Sequence, residues 1–143
     1  IMGKSKFLVL AQFSLIIILL VTGKIFPSNS VILIFELIFL LFGFWAIIEF
    51  KFRFNIFPDL KENSVLKISG PYKFVRHPMY TSVIGYTLLL VFNDFSNTRI
   101  IFWIILLIVI YLKLTYEERL LNKRFPDYSD YASKTKRLIP FIY

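Results

Sequence analysis

From Phe7 to Phe26 the chain is interrupted only by Gln12, Ser14, Thr22 and Lys24. That is close to the roughly 20 residues a helix needs to cross the hydrocarbon core of a bilayer. A second run of spanning length, Val31 to Phe50, follows the turn-like Pro27-Ser28-Asn29-Ser30 and carries Glu36 and Glu49. Pro78 to Phe92 is a shorter apolar run, about 22 Å of helix at 1.5 Å per residue. Thr81, Ser82, Gly85 and Thr87 along it suit close helix packing. After Asn93-Asp94-Phe95-Ser96-Asn97, a fourth run covers Ile100 to Tyr116, and a helical pattern continues through Glu117, Glu118, Leu120 and Leu121 until Phe125-Pro126. The chain is 57% hydrophobic over 143 residues, more apolar surface than a soluble domain of this size can bury. The expected fold is therefore an all-α integral membrane protein, a single domain over residues 1–143 with about four transmembrane helices (7–26, 31–50, 78–92, 100–116).

Between the second and third runs, Lys51 to Pro78 is polar, basic and broken by prolines, so it forms a substantial loop outside hydrocarbon. Basic residues fix the orientation. Lys4 and Lys6 precede the first run, and Lys51, Arg53, Lys61, Lys67, Lys73 and Arg76 lie in the central loop. Seven more lie from Lys113 onward, against Lys24 and Arg99 alone at the two short turns. The positive-inside rule then places the N-terminus, the central loop and the helical C-terminal tail together in the cytoplasm. The net charge of +8 serves anionic membrane lipids and does not call for nucleic acid. A cleaved signal peptide is disfavoured, because the first run exceeds an ordinary h-region and no small-x-small site follows it. The chain has no cysteine and His77 is its one histidine, which speaks against disulfides, thiol chemistry and a zinc or di-iron site.

The unusual residue combinations fall on the cytoplasmic side. In Gly70-Pro71-Tyr72-Lys73-Phe74-Val75-Arg76-His77-Pro78-Met79-Tyr80, Gly-Pro makes a turn and Pro78 suits the first position of a helix. His77 then sits near the cap, where unpaired N–H groups with Arg76 alongside could take a carboxylate or phosphate; equally, Arg76 and Tyr80 could anchor the helix at the interface. Lys113 and Glu117 share one helix face at i, i+4, which could grip a zwitterion but on spacing alone favours a simple ion pair. Glu36 is either an intramembrane functional carboxylate or one solvated near the outer boundary. Tyr128 and Tyr131, on a short tail helix, are expected to lie against the membrane surface, and Arg137 to meet a headgroup.

GPYKFVRHPMY, the Glu117-Glu118 pair, RFPDYSDY and RLIPFI together resemble the isoprenylcysteine carboxyl methyltransferase family and its phospholipid methyltransferase relatives, over roughly Ser64 to Ile142. The resemblance implies S-adenosylmethionine bound on the cytoplasmic side. Its holders would be the loop before Gly70 (Ser64, Val65, Leu66, Lys67), Tyr72, the His77-Pro78-Met79-Tyr80 segment and Glu117. The family's substrate-contacting arginine is replaced here by Lys113, which keeps the charge but loses the planar fork suited to a carboxylate. The partner would be a lipophilic or lipidated acceptor. An isoprenylcysteine-like carboxylate needs no base, whereas a lipid amine would need one, with Glu118 or His77 nearest.

Two other classes are open to a chain of this kind. A small four-span transporter or adaptor would use Glu36 as its ion site. The RLIPFIY ending is also similar to that of membrane sterol reductases, but those have many more spans.

Overall fold

The computed structural model describes residues 3–51, 55 and 57–143; Arg53, one of the loop cations above, lies outside them. The elements are α1 (Lys4–Val21), α2 (Ser30–Glu49), a 3-10 turn (Gly70–Lys73), α3 (Pro78–Asn93), α4 (Asn97–Arg124) and α5 (Tyr128–Lys134). There is no strand among the described residues; Val75 and Lys136 form one isolated parallel bridge.

Local chemistry sets the helix ends. The Asn29 side chain accepts from Val31 N at 2.8 Å and caps α2, while Ser96 accepts from Arg99 N at 3.2 Å and caps α4. Pro78 opens α3 with His77 in the cap position. Among the helix ends, α1 departs most from expectation, stopping at Val21 rather than Phe26. Ile25 and Phe26 continue the apolar run, but Thr22 turns both its N and its Oγ1 onto Ile18 O, at 3.0 and 2.6 Å, and Gly23 follows. The helix thus ends on hydrogen bonds that hydropathy does not register. α4 continues to Arg124 and stops before Phe125-Pro126.

Among the described residues three helices, α1, α2 and α4, are long and apolar enough to cross a membrane. α3, the remaining expected span, has 16 residues, about 24 Å of rise against a core of about 30 Å, and falls short of that length. α1 packs on α4 and α2 on α3, with α3 also touching α1 and α4. Small residues bring α2 and α3 close: a Cβ on Gly43 would lie 2.4 Å from Ser82 Oγ, and one on Gly85 would lie 2.2 Å from the Phe39 ring. Ser82 Oγ donates to Phe39 O across that seam at 2.6 Å. Leu8, Leu15, Leu19, Val91, Leu106, Ile110 and Leu114 form the apolar core.

The two short turns meet at one end, where Asn93 Nδ2 donates to Lys24 O at 2.9 Å. The same end holds Arg99, 3% exposed although it lies in the first turn of α4, where the helix dipole disfavours a cation. Its guanidinium answers the carbonyl ends of two other helices instead: Nη1 donates to Leu19 O at 3.0 Å and to Thr22 Oγ1 at 2.8 Å, and Nη2 to Leu90 O at 2.8 Å. Gly23 leaves room for it, since a Cβ there would lie 2.4 Å from Nη1. Arg99→Leu would strand these buried acceptors. We expect it to cost at least about 2 kcal/mol in reversible SDS unfolding of the micellar protein, with exposed Arg119→Leu within about 0.5 kcal/mol of wild type.

Candidate functional site

At the opposite end, the central loop and the tail converge on the start of α3 and the polar end of α4. Ser69 Oγ donates to Glu49 Oε1 at the foot of α2. The next residue, Gly70, has φ +58°, and a Cβ there would lie 2.5 Å from Glu49 Oε2, so both backbone and space call for glycine. The 3-10 turn that follows buries Pro71 and Tyr72 and delivers Val75, Arg76 and His77 alongside the tail. Arg76 N donates to Lys136 O at 2.7 Å and His77 N to Arg137 O at 3.1 Å. Thr81 Oγ1 donates to Leu138 O at 2.7 Å, so the tail is strapped along the first turn of α3.

One carboxylate organises this region. Glu118 Oε1 accepts from Arg76 Nε at 2.8 Å and lies 3.1 Å from His77 Nε2, while Arg137 Nη2 lies 3.0 Å from Oε2. Arg76 also donates to the carbonyls of Ala132 and Thr135, at 2.8 and 2.5 Å. Burial raises the Glu118 carboxyl's pKa, but hydrogen bonds from His77 and Arg76 and their charges outweigh it and hold the group down at about 2. Arg76 is therefore committed within the protein and does not serve as the ligand-facing cation or interfacial anchor its sequence context suggests. Arg137 also turns to Glu118, and its Nη1 donates to the Tyr143 hydroxyl at 3.0 Å.

Glu117, one residue earlier, has different surroundings. Its side chain is 28% exposed against 11% for Glu118. Glu117 Oε2 accepts from Tyr80 OH at 3.0 Å and lies 3.9 Å from His77 Nδ1. The His77 and Tyr80 rings stack at 5.4 Å, and the Lys113 ammonium lies 5.1 Å from the Tyr80 ring centroid. Lys113 is 2% exposed and donates to Gln12 Oε1 on α1 at 2.7 Å.

The tail tyrosines form a wall of the site instead of lying on a membrane surface. Tyr128 is 4% exposed, and Tyr131 OH donates to Tyr72 O at 2.8 Å. Burial pushes the Tyr131 phenol up to about 12. Burial and then the negative charge of Glu117 raise the Tyr72 phenol, so both hydroxyls are proton donors at neutral pH and not bases.

His77, Tyr80, Glu117 and Lys113 thus come together, with Pro78 and Tyr72 buried beside them and Met79 half-buried. Lys67 joins through Phe50: its ammonium lies 5.9 Å from that ring, which meets Tyr72 edge-on at 5.3 Å. Ser64 accepts from Lys61 N at 2.8 Å, Val65 is 62% exposed and Leu66 is half-buried. Sequence reasoning missed Gln12 as a contributor, because one amide in a long apolar run looks incidental. Glu36 is not solvated: it is 4% exposed, and its Oε1 is buried without a hydrogen-bond partner.

A model of the isoprenylcysteine carboxyl methyltransferase family matches residues 31–123. The match starts earlier than the motifs do, taking in α2, and stops before the tail. No curated protein and no solved structure matches the chain.

The Glu118 cluster carries a definite pH sign. A carboxyl held below its ordinary 4.5 contributes stability that is complete above that value and is lost as pH falls through about 2. Protection of the Arg76 and His77 amides, as the ratio of intrinsic to observed hydrogen-exchange rate at each pH, should therefore be constant above about pH 5 and fall between about pH 4.5 and 2. Glu118→Gln should show the reduced protection already at pH 7.

Proposed function

Because the chain belongs to the isoprenylcysteine carboxyl methyltransferase family, a family of membrane methyltransferases, we propose that it transfers a methyl group from S-adenosylmethionine to the carboxylate of a lipophilic, isoprenylcysteine-like acceptor. The central loop and the tail would lie on the cytoplasmic side, where most of the basic residues gather. In this reading α3 is the fourth span, its short length made up by residues at the interface.

The observation that carries the proposal is the pairing of a partly exposed carboxylate with a helix start. Glu117 is oriented by the Tyr80 hydroxyl at 3.0 Å, and the first turn of α3 with His77 in its cap stands beside it. The donor chemistry of this set fits S-adenosylmethionine. Glu117 would take its ammonium, His77 and the N–H groups opening α3 its carboxylate, and Tyr72, Met79, Val65 and Leu66 would wall its adenine. When bound, that cofactor supplies a methyl group already activated on a sulfonium.

What the protein must add is position and dryness. Glu118, by holding Arg76, His77 and Arg137, locks the tail over the first turn of α3. Tyr72 and Tyr131 close the wall as protonated donors. Lys113, buried in the α1–α4 seam, supplies the positive charge that meets an anionic acceptor arriving from the lipid. A carboxylate acceptor is deprotonated at neutral pH, so no side chain has to remove a proton in this reaction.

A second reading, methylation of a lipid amine, draws on His77. Its Nδ1 lies toward Glu117, so the imidazole could hold the proton an amine gives up.

Calorimetry of the detergent-purified protein tests the cofactor assignment. Saturable S-adenosylmethionine binding is expected, weakened at least about tenfold by Glu117→Ala and by His77→Ala, since each removes a charge-assisted contact. Wild-type affinity in both variants would remove these residues from the cofactor site.

A further inference from the structure

Residues 138–143 carry no charged side chain, yet three large apolar ones among them stand open: Ile139 is 50%, Ile142 74% and Phe141 86% exposed. Their backbone forms a tight turn. Ile139 O accepts from Ile142 N at 3.1 Å across Pro140 and Phe141, and Phe141 has φ +67°. Proline in second place and a positive φ in third are the marks of a type II turn, where glycine or asparagine sits without strain. Here the third place holds a phenylalanine, a strained choice for a bulky residue. Its ring is the most exposed large apolar side chain among the described residues.

The turn stands beside the apolar bundle and not above it. Leu138 packs against the core cluster that includes Ile110 and Leu114 of α4, and its carbonyl accepts from Thr81 Oγ1 on α3 at 2.7 Å. Arg137, just before the turn, interacts with Tyr111, which shares one exposed face of α4 with Ile104 and Ile108. The loop also suits dry surroundings. Leu138 N and Ile139 N both donate to Tyr143 O at 2.6 Å, and Tyr143 N joins Ile142 N on Ile139 O at 3.1 Å. Pro140 has no N–H, so four of the five N–H groups in residues 138–143 are satisfied within the loop, as contact with hydrocarbon requires. Tyr143 keeps a polar tip against Arg137 Nη1 at 3.0 Å, the pose of an amphipathic ring at a membrane boundary.

We propose that residues 139–142 insert into the leaflet on the basic side of the bundle as an interfacial anchor, with the acyl-chain edge of phospholipid as their partner. A stable protein interface buries on the order of 800 Å² per side, far more than three side chains on one turn supply. Continuity with the lipid-facing surface of α4 points the same way, and exposed Lys136 just before the turn suits anionic headgroups. Because Arg76 N and His77 N donate to the carbonyls of Lys136 and Arg137, the anchor hangs from the same strap that closes the candidate site. The inference needs the long helices to cross a bilayer and stands apart from the methyl-transfer reading.

The chain has no cysteine, so single cysteines can be spin-labelled without other changes. Phe141→Cys and Ile142→Cys would be labelled in nanodiscs of phosphatidylcholine and phosphatidylglycerol, with Ile108→Cys as the lipid reference and exposed Ser133→Cys as the water reference. Electron paramagnetic resonance then compares collisions with oxygen, which concentrates in lipid, against those with a nickel chelate, which stays in water. Labels at 141 and 142 should read as Ile108 does, at a depth of about 5–10 Å into the boundary between headgroups and acyl chains. If one of the two variants fails to fold, the other decides. Readings like that of Ser133 would place the turn in water and overturn the proposal. Labels shielded from both reagents would overturn it as well, since protein and not lipid would then cover the turn.

Discussion

Glu118 is the carboxylate on which the basic end of the molecule depends. The central loop, the start of α3, the end of α4 and the tail come from segments far apart in sequence, and each would carry its polar groups into solvent on its own. Arg76, His77 and Arg137 all turn to this one side chain, at 2.8, 3.1 and 3.0 Å. Without that carboxylate, two guanidinium groups and an imidazole would crowd one another in a partly buried pocket, a far greater cost than the modest worth of an exposed ion pair. The backbone bonds from Arg76 and His77 to the tail carbonyls, and the bond from Tyr131 to Tyr72, follow from the same convergence.

The consequence for the site is a division of labour between adjacent glutamates. Successive residues on a helix point about 100° apart, so Glu117 and Glu118 cannot face the same neighbours. Glu118 is surrounded by cations and spends its charge on architecture. Glu117 accepts from the Tyr80 hydroxyl at 3.0 Å, has the stacked His77–Tyr80 pair beside it and keeps more than a quarter of its side chain open. An architecturally saturated carboxylate makes a poor base or ligand, which argues against Glu118 as the proton acceptor in any amine chemistry.

Much of the helical layout is legible in the sequence because hydrophobic run length, caps and prolines are local signals: Asn29, Ser96 and Pro78 mark helix starts, and Pro126 follows the end of α4. The end of α1 was not, since Thr22 stops the helix through hydrogen bonds while Ile25 and Phe26 keep the hydropathy high. Within the site, the resemblance gathered the right segments but not their pairings. Arg76 and Glu118 are 42 residues apart, and Gln12 and Lys113 are 101 apart. No spacing rule reaches that far. Arg99 did carry a local signal, a cation in the first turn of a helix where the dipole opposes it, and its partners prove to be the carbonyl ends of α1 and α3. Glu36 is the piece that remains outside this organisation, a carboxyl buried against α3 at the far end from the site.

The central claim is that this bundle moves a methyl group onto a carboxylate. The most direct measurement is to supply S-adenosylmethionine labelled in its methyl group to the protein in nanodiscs with a prenylated cysteine, and then treat the labelled product with base. The account predicts label released as methanol, the mark of a methyl ester. Label that survives base, as an N-methyl group does, or no transfer by folded protein that binds the cofactor, would contradict it.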